Sequence, residues 1–185
     1  MKLLSEEEGQ TGLTLAKVIV DAVVSGKQYN HPPLPAIFSE KRGVFVTLNK
    51  NGALRGCIGI PLPVMSLADA LYEAAASAAR SDPRFPPVKE HELSRISLEL
   101  TVLSVPEEIQ RPPSERDKEV IVGRHGLIVQ GMGRSGLLLP QVATDHAWEP
   151  GEFLDQTCIK AGLTPGCWQR EEITVLRFEG QIFRE

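Results

Sequence analysis

The stretch Leu54–Gly59, LRGCIG, sets a cysteine between two glycines, with an arginine two residues before it. Thiol chemistry is what those residue types can do. The thiolate is the reactive form of cysteine, and a guanidinium beside it stabilises the negative charge. On an extended strand alternate side chains share a face, so Arg55 and Cys57 point one way while Leu54, Gly56 and Ile58 point the other. Their Cα atoms would lie about 6.5–7 Å apart, a span that arginine covers. Gly56 and Gly59 would let a ligand or a second backbone come close, or permit a bulge that aims Cys57 outward. Val46, across the hairpin, is expected on the face of Arg55 and Cys57. The competing reading is plain packing, because free cysteine is among the most buried residue types.

The elements that must hold this stretch are legible on both sides of it. In GVFVTLNKNGALRGCIG two strand-like runs flank Asn51-Gly52, the preferred pair for a tight hairpin turn. A helix from about Ser5 to Val24 precedes it, with Ser5 and Glu8 forming a capping box and Leu13, Ala16, Ile19, Val20 and Val23 at helical spacing. YNHPPLPAIF between them reads as a rigid extended connector. A second helix follows Ser66 to about Arg80, and its alanines predict close packing on a sheet through Leu67, Leu71 and Ala78. ISLELTVLSV alternates as a half-buried strand. EVIVGRHGLIVQ and GLLLP read as further strands about the tip GMGRSG, which lacks the GK[ST] ending of a phosphate loop. GEFLDQTCIKAGL is an amphipathic helix and EEITVLRFEG a closing strand. Strands in neighbouring hairpins with helices between groups predict an α+β fold with a largely antiparallel sheet flanked by helices.

Composition narrows the function classes. The 185 residues suit one domain, or two small lobes, and 42% hydrophobic with 24% charged residues is ordinary for a globular chain. A formal net charge of −4 supplies no global field for nucleic acid, which is not expected as a partner. No run approaches the ~20 apolar residues of a membrane helix, and the start MKLLSEEEGQ turns acidic too soon for a signal peptide. The expected setting is cytoplasmic. Three cysteines without framework spacing fit a reducing compartment; Cys158 reads as core packing and Cys167 as half-buried at a turn. Neither the cysteines nor His31, His91, His125 and His146 have metal-ligand spacing, so no metal and no cofactor is expected.

Further residues could complete a site. Asp82, Arg84 and Phe85 lie in the proline-stiffened loop SDPRFPPV. Asp82 before a proline is a common turn former, and Arg84 could hold an anion or pair with Asp82. Phe85 is expected to bury its ring and anchor the loop as one wall of a cleft around Cys57. His125 could be the base that activates the thiol, or a hydrogen-bonded structural residue.

GVFVTL, LRGCIG, DPRFPPV, VGRHGLIV and LLPQVA, in that order and spacing from about Gly43 to Phe178, resemble the AMMECR family, whose hallmark is LRGCIG. The resemblance implies a single two-lobed AMMECR domain over residues 1–185, with closely packed lobes sharing a cleft near the cysteine motif. It carries over Arg55, Gly56, Cys57 and Gly59, then Asp82, Arg84 and Phe85, His125, and Pro140. Gln141 is a point of variation, because the motif can carry Glu there. The family has no established activity. Its prokaryotic members are linked to a Memo-type protein and a radical SAM enzyme, which are therefore the partners the resemblance implies. Two functions remain in contention. In one, Cys57 is a nucleophile or covalent acceptor with Arg55 and His125 as catalytic neighbours, and Gly56, Gly59, Asp82 and Arg84 bind the ligand. In the other, the same cleft is a non-catalytic module for a small anionic ligand or a partner's segment.

Overall fold

The computed structural model describes residues 3–29 and 33–185. In chain order its elements are α1 (Glu6–Val24), β1 (Val44–Lys50), β2 (Ala53–Ile60), α2 (Leu67–Arg80), β3 (Ile96–Leu103), β4 (Glu107–Glu108), β5 (His125–Gly131), β6 (Arg134–Leu138), α3 (Pro140–Asp145), α4 (Pro150–Lys160) and β7 (Thr174–Arg184). The chain forms two compact units. One ends at Val105 and takes in Gln181–Glu185; the other is Pro106–Gly180. Every strand pairing detailed below is antiparallel, and the fold is α+β.

In the first unit α1 begins where its sequence says it should. The Ser5 hydroxyl accepts the Glu8 amide while the Glu8 carboxylate accepts the Ser5 amide, so two otherwise orphaned donors are satisfied at once. Ser66 caps α2 by accepting the Asp69 amide. β1 lies between β2 and β3. Val46, Leu48, Leu71, Ala74, Ala78 and Leu100 fill the core against the helices. Gly56 explains the alanine-rich helix, since a Cβ there would collide with the Ala78 carbonyl. α2 therefore packs close to β2, and Leu67, Leu71 and Ala78 are buried as expected.

The hairpin turn has left-handed φ at both Asn51 (52°) and Gly52 (81°), as a two-residue turn of this kind requires. The connector before β1 falls partly on residues 30–32, outside the described residues. Its described end is not extended, because Ala36–Ser39 forms a 3-10 turn that buries Ile37 and Phe38. The apolar pair makes the turn worth forming.

In the second unit β5 pairs with β6 and with the first part of β7, and β4 pairs with β7. Leu127, Val129, Phe153, Leu154, Ile173 and Val175 form its core. The strand expected from Glu119 starts only at His125, because a 3-10 helix and a turn take up the residues before it. Pro140 opens the short helix α3, which the strand-like reading of its surroundings did not foresee. Gly136 has no side chain where the Lys160–Ala161 backbone of α4 comes against β6.

Cys158 and Cys167 are bonded to each other, which corrects the expectation of unpaired thiols. Gly162, at φ 74°, ends α4. The returning chain is then pinned by Asp155, which accepts the Gly166 amide and the Trp168 indole N–H. That turn brings the two Cα atoms to 6.0 Å, within the range a disulfide spans. Both sulfur-bearing residues are buried. Replacing both with alanine is expected to lower stability by about 3 kcal/mol, from loop-closure entropy over a separation of nine residues. Thermal melts of the variant against the oxidised parent measure this.

Candidate functional site

The pairing of β2 with β1 decides where Cys57 points. Next to the turn Lys50 faces Ala53 and Asn49 faces Leu54; the register then shifts, so that Leu48 faces Gly56 and Thr47 faces Cys57. Arg55 is the extra residue of a β-bulge. An unbroken register from the same turn would have set Cys57 opposite Val46. The slip of one residue exchanges the partners along the rest of the hairpin. Val46 and Leu48 therefore belong to the core, with Gly56, while Cys57 shares the other face with Thr47. The expected common face of Arg55, Val46 and Cys57 does not form.

The Thr47 hydroxyl donates to Cys57 Sγ at 3.3 Å. Cys57 is half-buried and is the free cysteine of the chain. Its backbone is held from the outer edge of β2. The Cys57 amide donates to Asp82 Oδ2 at 2.8 Å, and its carbonyl accepts from Arg84 Nη2 at 3.0 Å. Asp82 in turn accepts Arg84 Nε at 2.9 Å, Nη2 at 2.7 Å and the Arg84 amide at 3.1 Å. The carboxylate is buried while half of the arginine side chain remains exposed. Asp82 thus acts as a fixed clamp that aims a guanidinium at the edge of the cysteine strand. The hydrogen bond from the Arg84 side chain, ahead of every other cause, holds the Asp82 carboxyl well below the usual carboxylate range. Arg84 is held above its ordinary value, first by Asp82 and to a smaller extent by the Cys57 side chain beside it.

Arg55 serves a different carboxylate. Its Nε and Nη2 donate to the two oxygens of Glu92 at 3.2 and 3.0 Å, and Lys50 Nζ donates to the same group at 2.6 Å. Glu92, in the 3-10 turn Glu90–Arg95, also accepts the Lys89 amide. Hydrogen bonds from Arg55 and then Lys50 keep the Glu92 carboxyl well below its usual range. Arg55 ties β2 to that turn, and the cation beside the sulfur is Arg84.

Gly56 faces α2, and Gly59 carries the ring of Phe45, with which a Cβ at Gly59 would collide. Phe85 is half-buried rather than fully buried, and the Arg84 guanidinium lies 5.5 Å from its ring centre. The loop is anchored instead by Asp82 and by Val88, which is buried and donates its amide to the Ala79 carbonyl. His125 belongs to the other unit, where it is buried and its Nδ1 accepts the Ile121 amide at 3.0 Å. Burial, then the charge of Arg177, pushes its pKa down, which favours the neutral imidazole. Cys57, Asp82 and Arg84 are one hydrogen-bonded set, and Thr47 joins it. Thr47 was not foreseen, because only the bulge puts it opposite the thiol. Among the described residues no group of three or more His, Cys, Asp and Glu is placed to hold a metal ion. No helix among them is long and apolar enough to cross a membrane.

Asp82 and Glu92 give the fold an acid limit. Both have folded-state pKa values below the unfolded ones, which lie near 4. Their contribution is therefore complete above about pH 5 and is lost as pH falls through about 4 toward the depressed folded values. Urea midpoints are expected to be level from pH 7 to about 5 and to fall steadily below it.

The chain belongs to the AMMECR1 family, whose model matches residues 13–183. It is 49% identical over 185 residues to a protein of Methanothermobacter thermautotrophicus, covering 98% of this chain and 96% of that one. A protein of Thermococcus onnurineus is 47% identical over 192 residues, covering 100% and 94%. A crystal structure of an uncharacterized protein from Pyrococcus horikoshii matches with a TM-score of 0.80 and 45% identity, covering 98% of this chain and 93% of that one.

Proposed function

We propose that this AMMECR1-family chain is a small cytoplasmic enzyme or enzyme subunit in which Cys57 is the nucleophile or covalent acceptor for an anionic ligand. One observation carries the reading. The Sγ of half-buried Cys57 accepts a hydrogen bond from the Thr47 hydroxyl, and a guanidinium that a buried carboxylate holds in place bonds the carbonyl of the same residue. The thiolate is the form that attacks, and a hydroxyl and a guanidinium are groups that bind an anion. The exposed part of Arg84 is free to meet an anion, and a planar fork of donors suits a carboxylate or phosphate. A Memo-type protein and a radical SAM enzyme are the partners this reading includes, and family membership is what supports them. The Cys158–Cys167 bond is compatible with a cytoplasmic setting where intracellular disulfides are common, as in hyperthermophilic archaea.

The test uses the disulfide as an advantage. With Cys158 and Cys167 bonded, a thiol reagent reads Cys57 alone. Iodoacetamide at pH 7 is expected to alkylate Cys57 in the native protein at least about tenfold faster than in the unfolded, unreduced chain. Thr47→Val is expected to slow the native reaction by about fivefold, the net loss of one ordinary hydrogen bond being about 1 kcal/mol. Native labelling no faster than unfolded labelling would remove the nucleophile and leave the anion-binding module.

A further inference from the structure

We infer that the ligand of the Cys57 site is the C-terminal tail of a polypeptide. The tail would be added as an antiparallel strand to the free edge of β2 at Gly59, with its terminal carboxylate on Arg84. The inference rests on the reading of Arg84 and Cys57 as the ligand-binding pair and names the chemical class that pair would meet.

β2 pairs with β1 on one side only and is an edge strand. Because the Cys57 amide and carbonyl bond Asp82 and Arg84, they point away from β1. Thr47 and Cys57 are thus a pair without mutual backbone bonds, and two residues along the ladder Phe45 and Gly59 are another. The Gly59 amide and carbonyl consequently face outward too. Among the described residues nothing outside the β1 ladder bonds them. The DPRF loop closes the edge at Cys57 and leaves Gly59 open. An open pair of backbone groups on an edge is a template for another strand.

The loop also sets how such a strand must end. A chain paired at Gly59 and running toward Arg55 meets Asp82 and Arg84 one pair further on, about 7 Å away. It cannot continue through them. A segment that stops there presents its terminal carboxylate to the exposed guanidinium, and a stop of this polarity requires antiparallel pairing. The same position lies beside Cys57, so the last residue of the tail is the one the thiol would reach. The Phe45 ring, packed over Gly59 on the face of Cys57 and Thr47, supplies an apolar surface for a side chain near the tail's end.

The probe is the N-acetylated pentapeptide acetyl-TVTVT, whose β-branched residues favour an extended chain, compared with the same peptide amidated at its C-terminus. The free carboxylate is expected to bind at least tenfold tighter than the amide by calorimetry, and Arg84→Gln to erase that ratio. Hydrogen exchange at the Gly59 amide, followed by NMR, is expected to slow at least tenfold in the complex. Equal affinity for acid and amide overturns the proposal. So does acid-selective binding with Gly59 exchange unchanged, which would be an anion site without strand addition. Concentration-dependent protection of Gly59 without peptide also overturns it, because a second copy of the chain would then occupy the edge. Iodoacetamide kinetics on the same sample keep the two readings apart. A fast thiol with no acid–amide discrimination sinks the tail and spares the nucleophile, whereas a slow thiol with full discrimination spares the tail and sinks the nucleophile.

Discussion

Arg84→Ala is expected to slow alkylation of Cys57 at pH 7 about tenfold, while lowering the melting temperature by about 2–4 °C. The two halves come from different parts of the same side chain's surroundings. The guanidinium lies beside the sulfur and bonds the Cys57 carbonyl, so its removal takes the positive charge away from the reacting side chain. Its other partner, Asp82, loses only the side-chain donors. The Asp82 carboxylate keeps the Cys57 amide and the amide of residue 84, and it is these backbone bonds that hold the loop on β2. Asp82 is buried but half of Arg84 is in water, so the loss of their pairing is screened and costs no more than those few degrees. Arg84→Lys should recover part of the rate, since it restores the charge without the fork that bridges Asp82 and Cys57. Second-order rate constants for iodoacetamide, with calorimetric melts of the same samples, check both halves. An Arg84→Ala protein that melts as early as Glu92→Ala, or labels at the parent rate, would make the loop a strut of the scaffold.

The parts of this site that were legible in the chain are those whose signals are local. Ser5 with Glu8, Ser66, and Asn51-Gly52 each satisfy backbone groups within a few residues, so composition alone finds them. The association of Asp82 and Arg84 with Cys57 was also anticipated, through the stiffness of the loop. What escaped was the bulge. A single extra residue at Arg55 leaves no mark on composition, yet it exchanges Val46 for Thr47 across from the thiol and frees Arg55 to reach Glu92. Strict alternation assigns side chains to faces only along an unbroken ladder. Phe85 misled for a related reason, since an aromatic ring in a proline-rich loop can serve as a surface for a cation as readily as it can fill a core. The disulfide depends on a turn ordered by Asp155, a contact that cysteine spacing does not encode.

Glu92→Ala is expected to lower stability by about 3–5 kcal/mol, the range for removing one partner of a buried ion pair, and the melting temperature by about 10 °C, without changing the alkylation rate of Cys57. Glu92 is almost wholly shielded, as is most of Arg55, while Lys50 remains partly exposed. Four donors converge on the one carboxylate: Arg55 Nε and Nη2, Lys50 Nζ and the Lys89 amide. Its removal leaves a guanidinium without its carboxylate in a site that water enters poorly, and that uncompensated charge, rather than the lost attraction, is the main cost. The bulge aggravates it. Arg55 is the residue that has no partner in the β1 ladder, so its hold on the 3-10 turn is what fixes the irregular part of β2. Glu92→Gln should fall between parent and alanine, since the amide keeps an acceptor for the guanidinium but loses the charge. It should also flatten the decline of stability below pH 5, because one of the depressed carboxyls no longer titrates. Arg55→Ala completes the comparison. If Arg55 is a strut, its loss destabilises the fold and spares the thiol's reactivity. If it is the cation that activates the thiol, the labelling rate falls as it does for Arg84→Ala. Parent-like labelling in Glu92→Ala and Arg55→Ala, together with early melting in both, would place the hallmark arginine in the framework that presents Cys57 and leave the chemistry to the loop beside it.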